Sequence, residues 1–88
     1  MMTLFVKTGC PFCKKVLAAA QELEISLEEK NVADPEVRAE LVLRGGKAQT
    51  PFLDDIDCGV MLYESEEIIK YLRRRSDAGK EVCVAEYK

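Results

Sequence analysis

The most constraining stretch of this chain is its first 24 residues, where a short apolar run becomes a helical period across a Cys-Pro junction. Met2-Thr3-Leu4-Phe5-Val6 is apolar and β-prone, and Thr8-Gly9 ends it. Pro11 then falls at a first helical position, where its missing N–H costs nothing. From there Cys13, Val16, Leu17, Ala20 and Leu23 recur at helical spacing, with Lys14, Lys15, Gln21 and Glu22 on the opposite face. That period predicts a helix over 11–24. Ile25, Leu27 and Val32 mark a strand-like segment after it. A strand–helix–strand unit of this kind makes the two strands parallel, with a right-handed crossover.

The rest of the chain adds to that unit. Asp34-Pro35-Glu36 starts a second helix with a capping Asp, a Pro at the first position and an acid in the first turn. The helix runs through Val37 and Leu41 to Arg44 and stops at Gly45-Gly46. Thr50-Pro51-Phe52-Leu53 reads as a brief strand, Asp54, Asp55 and Asp57 as an acidic turn, and Gly59–Tyr63 as a strand close enough to pair with it as a hairpin. Ser65 caps a third helix, with Glu66 and Glu67 in its first turn and Ile68, Ile69 and Leu72 facing inward. Arg73-Arg74-Arg75 falls where that helix should end and complements its dipole. From Asp77 the pattern fades, so 77–88 reads as a loosely ordered tail. The order β-α-β-α-β-β-α predicts one α/β domain over 1–88, a four-stranded mixed sheet with helices on both faces.

Composition removes several functions. Eighty-eight residues leave room for one small core. A net charge of −3 without a long run of one sign gives no footprint for nucleic acid. No apolar stretch approaches the roughly 18 residues a membrane span needs. The N-terminal run lacks a basic leader, so a cytoplasmic protein is expected. Without His there is no Ser-His, Cys-His or His-metal site. Four Cys remain, at 10, 13, 58 and 83. Cys58 and Cys83 read as structural or incidental thiols, a regulatory disulfide involving Cys83 being the alternative.

Cys10 and Cys13 are different. Separated by two residues, with the second one helical turn after the first, they can close a small disulfide. Cys10 at the helix start faces unpaired backbone N–H groups and the positive end of the dipole, which favours the nucleophilic thiolate. Lys7, three residues upstream, adds positive charge. Cys13 lies deeper and is placed to resolve a mixed disulfide formed on Cys10. A zinc site would need a second pair at matching spacing, which Cys58 and Cys83 do not supply, so no metal is expected. An inert buried pair is the remaining alternative; a strand-to-helix junction argues for redox chemistry instead.

Lys7-Thr8-Gly9-Cys10-Pro11-Phe12-Cys13 resembles the active-site segment of glutaredoxins, usually Cys-Pro-Tyr-Cys with a Lys or Arg three residues ahead; Phe12 replaces the Tyr. Thr50-Pro51 resembles the family's cis-proline segment, and the likeness reaches about Arg75. The resemblance implies a thioredoxin-like fold and a glutathione-dependent thiol–disulfide oxidoreductase, with Cys10 attacking and Cys13 resolving. It also implies glutathione as co-substrate with no permanently bound cofactor, glutathionylated or disulfide-containing proteins as partners, and a monomer.

One stretch departs from that family. Gly59-Val60-Met61-Leu62-Tyr63-Glu64-Ser65, taken with Thr50-Pro51-Phe52-Leu53, is similar to the N-terminal domain of glutathione transferases, in which Glu-Ser holds the γ-glutamyl end of glutathione. A helix N-terminus is a ready carboxylate site, so the likeness agrees with the physics. It implies a γ-glutamyl carboxylate at Ser65, its amine at Glu64, and a cysteinyl backbone paired with Thr50 beside Pro51. The glycine carboxylate then reaches Lys7 and Gln49, and Phe12 packs over the ligand or covers the helix start. Two alternatives stand beside the oxidoreductase. One is a transferase-like glutathione-binding domain, which normally carries an appended helical domain. The other is a carrier bridging a [2Fe–2S] cluster between two protomers, which Pro11 disfavours.

Overall fold

The computed structural model of the chain describes residues 2–79 and Cys83. Seven elements follow in the expected order: β1 (Met2–Val6), α1 (Pro11–Glu22), β2 (Leu27–Asn31), α2 (Pro35–Gly45), β3 (Phe52–Asp55), β4 (Val60–Leu62) and α3 (Ser65–Ala78). They build one four-stranded sheet in the order β2-β1-β3-β4. β1 pairs with β2 in parallel, and with β3 antiparallel; β3 and β4 form the antiparallel hairpin. This is the thioredoxin-like arrangement of a parallel unit joined to a hairpin.

All five residues of β1 are buried, because helices cover both faces of this inner strand and leave no reason for alternation. Met2, Leu4 and Val6 face one core with Val16 and Ala20 of α1, Leu53 and Val60 of the hairpin, and Ile68, Tyr71 and Leu72 of α3. Phe5 faces the other, smaller core with Phe52 and Leu41 of α2, rimmed by Val32, Val37 and Tyr63. β2 is an edge strand with no fully buried residue, so its sequence LEEKN carries little apolar signal.

The structure moves several boundaries. α1 ends at Glu22, two residues early, and Glu24 takes a left-handed φ of 56° that turns the chain so that Ile25 is buried ahead of β2. Asp54 and Asp55 are not in a turn. They are the buried end of β3, and as neighbours on a strand they project to opposite faces. Each face supplies an arginine. Arg44 of α2 donates from Nε to Asp54 Oδ2 at 2.8 Å and from Nη2 to Oδ1 at 3.0 Å. Arg75 of α3 pairs with Asp55, and the Tyr71 hydroxyl donates to the same carboxylate. Burial, and then this bond to Asp55, push Tyr71 up to about 12.

Arg75 is therefore no dipole ornament. It is 6% exposed, and α3 continues past it through Asp77 to Ala78, into what reads in the sequence as tail. Cys58 and Cys83 are not separate thiols but a disulfide. The remainder of the expected tail, 80–82 and 84–88, lies outside the described residues.

Candidate active site

Local sequence places Cys10. Gly9 takes φ 81°, Cys10 N–H bonds back to the Lys7 carbonyl at 3.1 Å, and Pro11 opens α1, leaving Cys10 as the N-cap. Its Sγ accepts from the Cys13 N–H at 3.3 Å, taking the place of a capping oxygen. Cys10 is partly exposed and Cys13 is buried, both as free thiols.

Burial is the largest influence on Cys10 and pushes its thiol up. Hydrogen bonds from Cys13, from the Phe12 backbone and from the Thr50 side chain outweigh it, and Cys10 lies below the ordinary cysteine value. Cys13 goes the other way: burial, and then its own bond to Cys10, raise it. The two sulfurs thus differ in the sense that attack and resolution require.

The Thr50–Pro51 peptide is cis, and it faces this helix start. Beside it lies a groove of about 220 Å³ lined by Phe12, Gln49, Thr50, Pro51, Tyr63, Glu64 and Ser65. Ser65 is not the cap of α3. Glu64 is, without a side-chain capping bond, which puts Ser65 at the first helical position, buried at 8% exposure. The first intrahelical bond runs from Ile68 N–H to the Glu64 carbonyl at 2.8 Å, so the N–H groups of 65–67 have no partner within the helix.

Lys7 does not line that groove. It lies across Thr50, in a second depression of about 420 Å³ with Thr8, Asn31, Val32, Ala33, Arg38 and Ala48. Thr50 lines both depressions. An extended ligand paired with its backbone would have an anion-binding helix start at one end and two cations at the other.

The sequence pattern does not single out Arg38 or Tyr63 as site residues. An arginine on the exposed side of α2 looks like ordinary solvated surface. Tyr63 stacks on Phe52 with ring centroids 4.5 Å apart, accepts from Lys47 N–H at 3.2 Å and donates to the Lys47 carbonyl at 2.8 Å. It thereby ties the loop leading to Thr50 to the segment leading to Ser65. Among the described residues, no three His, Cys, Asp or Glu side chains converge as a metal site. No described helix is long and apolar enough to cross a membrane.

Fold and site together define a thioredoxin-fold domain with a dithiol at the start of its first helix. A family model described as glutathione S-transferase, N-terminal domain, matches residues 4–80, and the chain belongs to that family. Among solved structures it is similar to a glutathione S-transferase from the Antarctic clam Laternula elliptica, with 29% identity and a TM-score of 0.72 over 86% of this chain and 35% of the clam protein. It is also similar to a glutathione S-transferase from Methylobacillus flagellatus with glutathione bound, with 30% identity and a TM-score of 0.71 over 85% of this chain and 37% of that one. A thioredoxin-like protein shares the fold at 21% identity and a TM-score of 0.70, over 83% of this chain and 99% of its own. No curated protein sequence matches the chain. The chain spans little more than a third of the length of the two transferases.

Proposed function

We propose that this domain binds glutathione across Thr50 and uses it in thiol–disulfide exchange at Cys10. The observation that carries this reading is the placement of Cys10, its thiol below the ordinary cysteine value, against Thr50, which itself lines both the groove with the helix start at Ser65 and the depression with the cations Lys7 and Arg38. Cys10 attacks the glutathionyl sulfur of a protein–glutathione disulfide, and the protein's sulfur leaves as its thiolate. Two exits follow. A second glutathione thiolate attacks the Cys10 adduct and leaves as oxidised glutathione, restoring Cys10. Otherwise Cys13 attacks, releases glutathione and closes a Cys10–Cys13 disulfide, which two further glutathiones reduce. We place this chemistry in the cytoplasm, with glutathionylated proteins or small disulfides as substrates.

Membership of the transferase family favours a second reading, in which the same groove binds glutathione for conjugation to an electrophile. The nucleophile is then the ligand's own sulfur, and Cys10 and Cys13 are dispensable. A glutathione-coupled disulfide reductase assay and an electrophile conjugation assay on wild type, Cys10→Ser and Cys13→Ser separate the two. The oxidoreductase reading expects disulfide reduction that Cys10→Ser abolishes. Conjugation that survives in both variants, without disulfide reduction, would reverse the ranking.

A further inference from the structure

A second sulfur centre lies at the other end of the sheet. Cys58, in the turn between β3 and β4, is bonded to Cys83, beyond α3, across a sequence separation of 25. Register puts it far from the groove: Met2 opposes Asp55 while Phe5 opposes Phe52, so Cys58 follows the end of β3 nearest Met2 and Cys10 follows the opposite end of β1. At about 3.3 Å per residue, β1 alone spans roughly 13 Å between those ends. Cys10 cannot reach this disulfide within one molecule.

The two sulfurs have different surroundings. Cys58 is 9% exposed, and the Arg75 guanidinium lies against it, Nη1 to Sγ 3.1 Å. Arg75 is held there by Asp55 and by Tyr71, whose hydroxyl lies 3.1 Å from the same Nη1. Cys83 is only half-buried. In thiol–disulfide exchange the sulfur that leaves fastest is the one with the better-stabilised thiolate, and the sulfur attacked is the accessible one.

We propose that Cys58–Cys83 is a thiol-reducible bond with a fixed polarity: Cys83 is the site of attack and of transient mixed-disulfide formation, and Cys58 is the leaving group. A low-molecular-weight thiolate attacks Cys83 Sγ, forming the new S–S bond, and the electron pair of the broken bond departs on Cys58 as a thiolate beside Arg75. A second thiolate then attacks the adduct on Cys83 and leaves with the first as their disulfide. Two electrons have passed from the two thiols to the former cystine. The covalent tie between the chain beyond α3 and the β3–β4 turn is then gone. Glutathione is the natural probe, because it is the thiol proposed for the other site, but the step needs neither the groove nor Cys10.

Peptide mapping tests this on the wild-type chain. The protein is exposed briefly to reduced glutathione, quenched with N-ethylmaleimide, and cleaved with trypsin. Cys58 then falls in the peptide 48–70, Cys83 in 81–88 and the active-site pair in 8–14. The expected pattern is a glutathionyl adduct on 81–88 with maleimide on Cys58. An adduct on Cys58, an adduct shared equally between the two, a bond that glutathione leaves intact, or two free thiols before treatment each overturns the proposal. A second arm compares Arg75→Gln, whose Cys58–Cys83 reduction should be roughly three- to tenfold slower once the leaving thiolate loses its cation. An unchanged rate in a folded Arg75→Gln would remove the role given to Arg75. Should that variant fail to fold, the wild-type map still decides the polarity.

Discussion

Gly45→Ala gives the sharpest test of how the groove is held. Gly45 is the last residue of α2, and a Cβ built there would overlap the Tyr63 hydroxyl oxygen and lie 2.7 Å from its ring carbon Cζ and 3.1 Å from the Phe52 ring. The methyl must therefore displace Tyr63, which loses both hydrogen bonds to Lys47 and its stacking on Phe52. Two neutral hydrogen bonds contribute about 1 kcal/mol each and an aromatic pair about 0.5–1.5 kcal/mol. Against that, replacing a helical Gly by Ala gains about 0.5–1 kcal/mol. The net expectation is a destabilisation of about 2 kcal/mol, read from urea unfolding by linear extrapolation. The control reverses the sign. In a Tyr63→Ala background only the 3.1 Å contact with Phe52 remains, and that ring can shift into the space Tyr63 leaves, so Gly45→Ala should stabilise by up to about 0.5–1 kcal/mol. Tyr63→Phe does not relieve the clash, because Cζ is still there, and Gly45→Ala should remain costly on it. An equal cost of Gly45→Ala in wild type and in Tyr63→Ala would refute the reasoning, since the penalty would then come from the backbone and not from the ring.

Three further outcomes are expected. In the protein with Cys10 and Cys13 reduced, the iodoacetamide rate of Cys10 should titrate with a midpoint below the ordinary 9.0 and that of Cys13 above it. Lowering the pH therefore silences Cys13 first, and preferential alkylation of Cys13 near neutrality would contradict the assigned roles. Asp55→Asn removes the buried charge that pairs with Arg75 and accepts from Tyr71, and should cost about 3–5 kcal/mol in urea unfolding; a loss below about 1 kcal/mol would show that this pair contributes little to stability. Ser65→Ala should raise the KM for glutathione on the order of tenfold with kcat unchanged, as expected for one lost hydrogen bond to a charged group. An unchanged KM would make Ser65 a packing residue.

The features legible in the sequence are those encoded within a few residues. Asp34 caps α2 and accepts from Glu36 N–H at 2.9 Å, Pro11 and Pro35 open their helices, and Gly46 takes the left-handed φ of 91° that ends α2. Cys10 and Cys13 separate into a partly exposed cap sulfur and a buried first-turn sulfur because a cap and a first turn are themselves local. The misread features are pairings across the chain. An Asp-Asp dipeptide is a poor strand end until Arg44 and Arg75 are seen to meet it, one on each face of β3. Arg75 cannot be told from Arg73 and Arg74 by composition; only its position on the buried face of α3 distinguishes it. Cys58 and Cys83 look unrelated for the same reason.

Gly45-Gly46 carries a second signal besides the helix stop. A helix stop of this kind needs one glycine, and Gly46 alone takes the left-handed φ. Gly45 is helical, where glycine is unfavourable, so a second glycine there implies that something approaches the backbone too closely for a side chain. That neighbour is Tyr63, directly before Glu64-Ser65. The excess glycine thus marks where the wall built from β4 and the start of α3 meets the loop that delivers Thr50. The groove is a product of that contact, because the ring that excludes a side chain at Gly45 also holds Lys47 at its backbone. Loosening the contact would move both walls with respect to Cys10 while leaving the dithiol's own helix untouched.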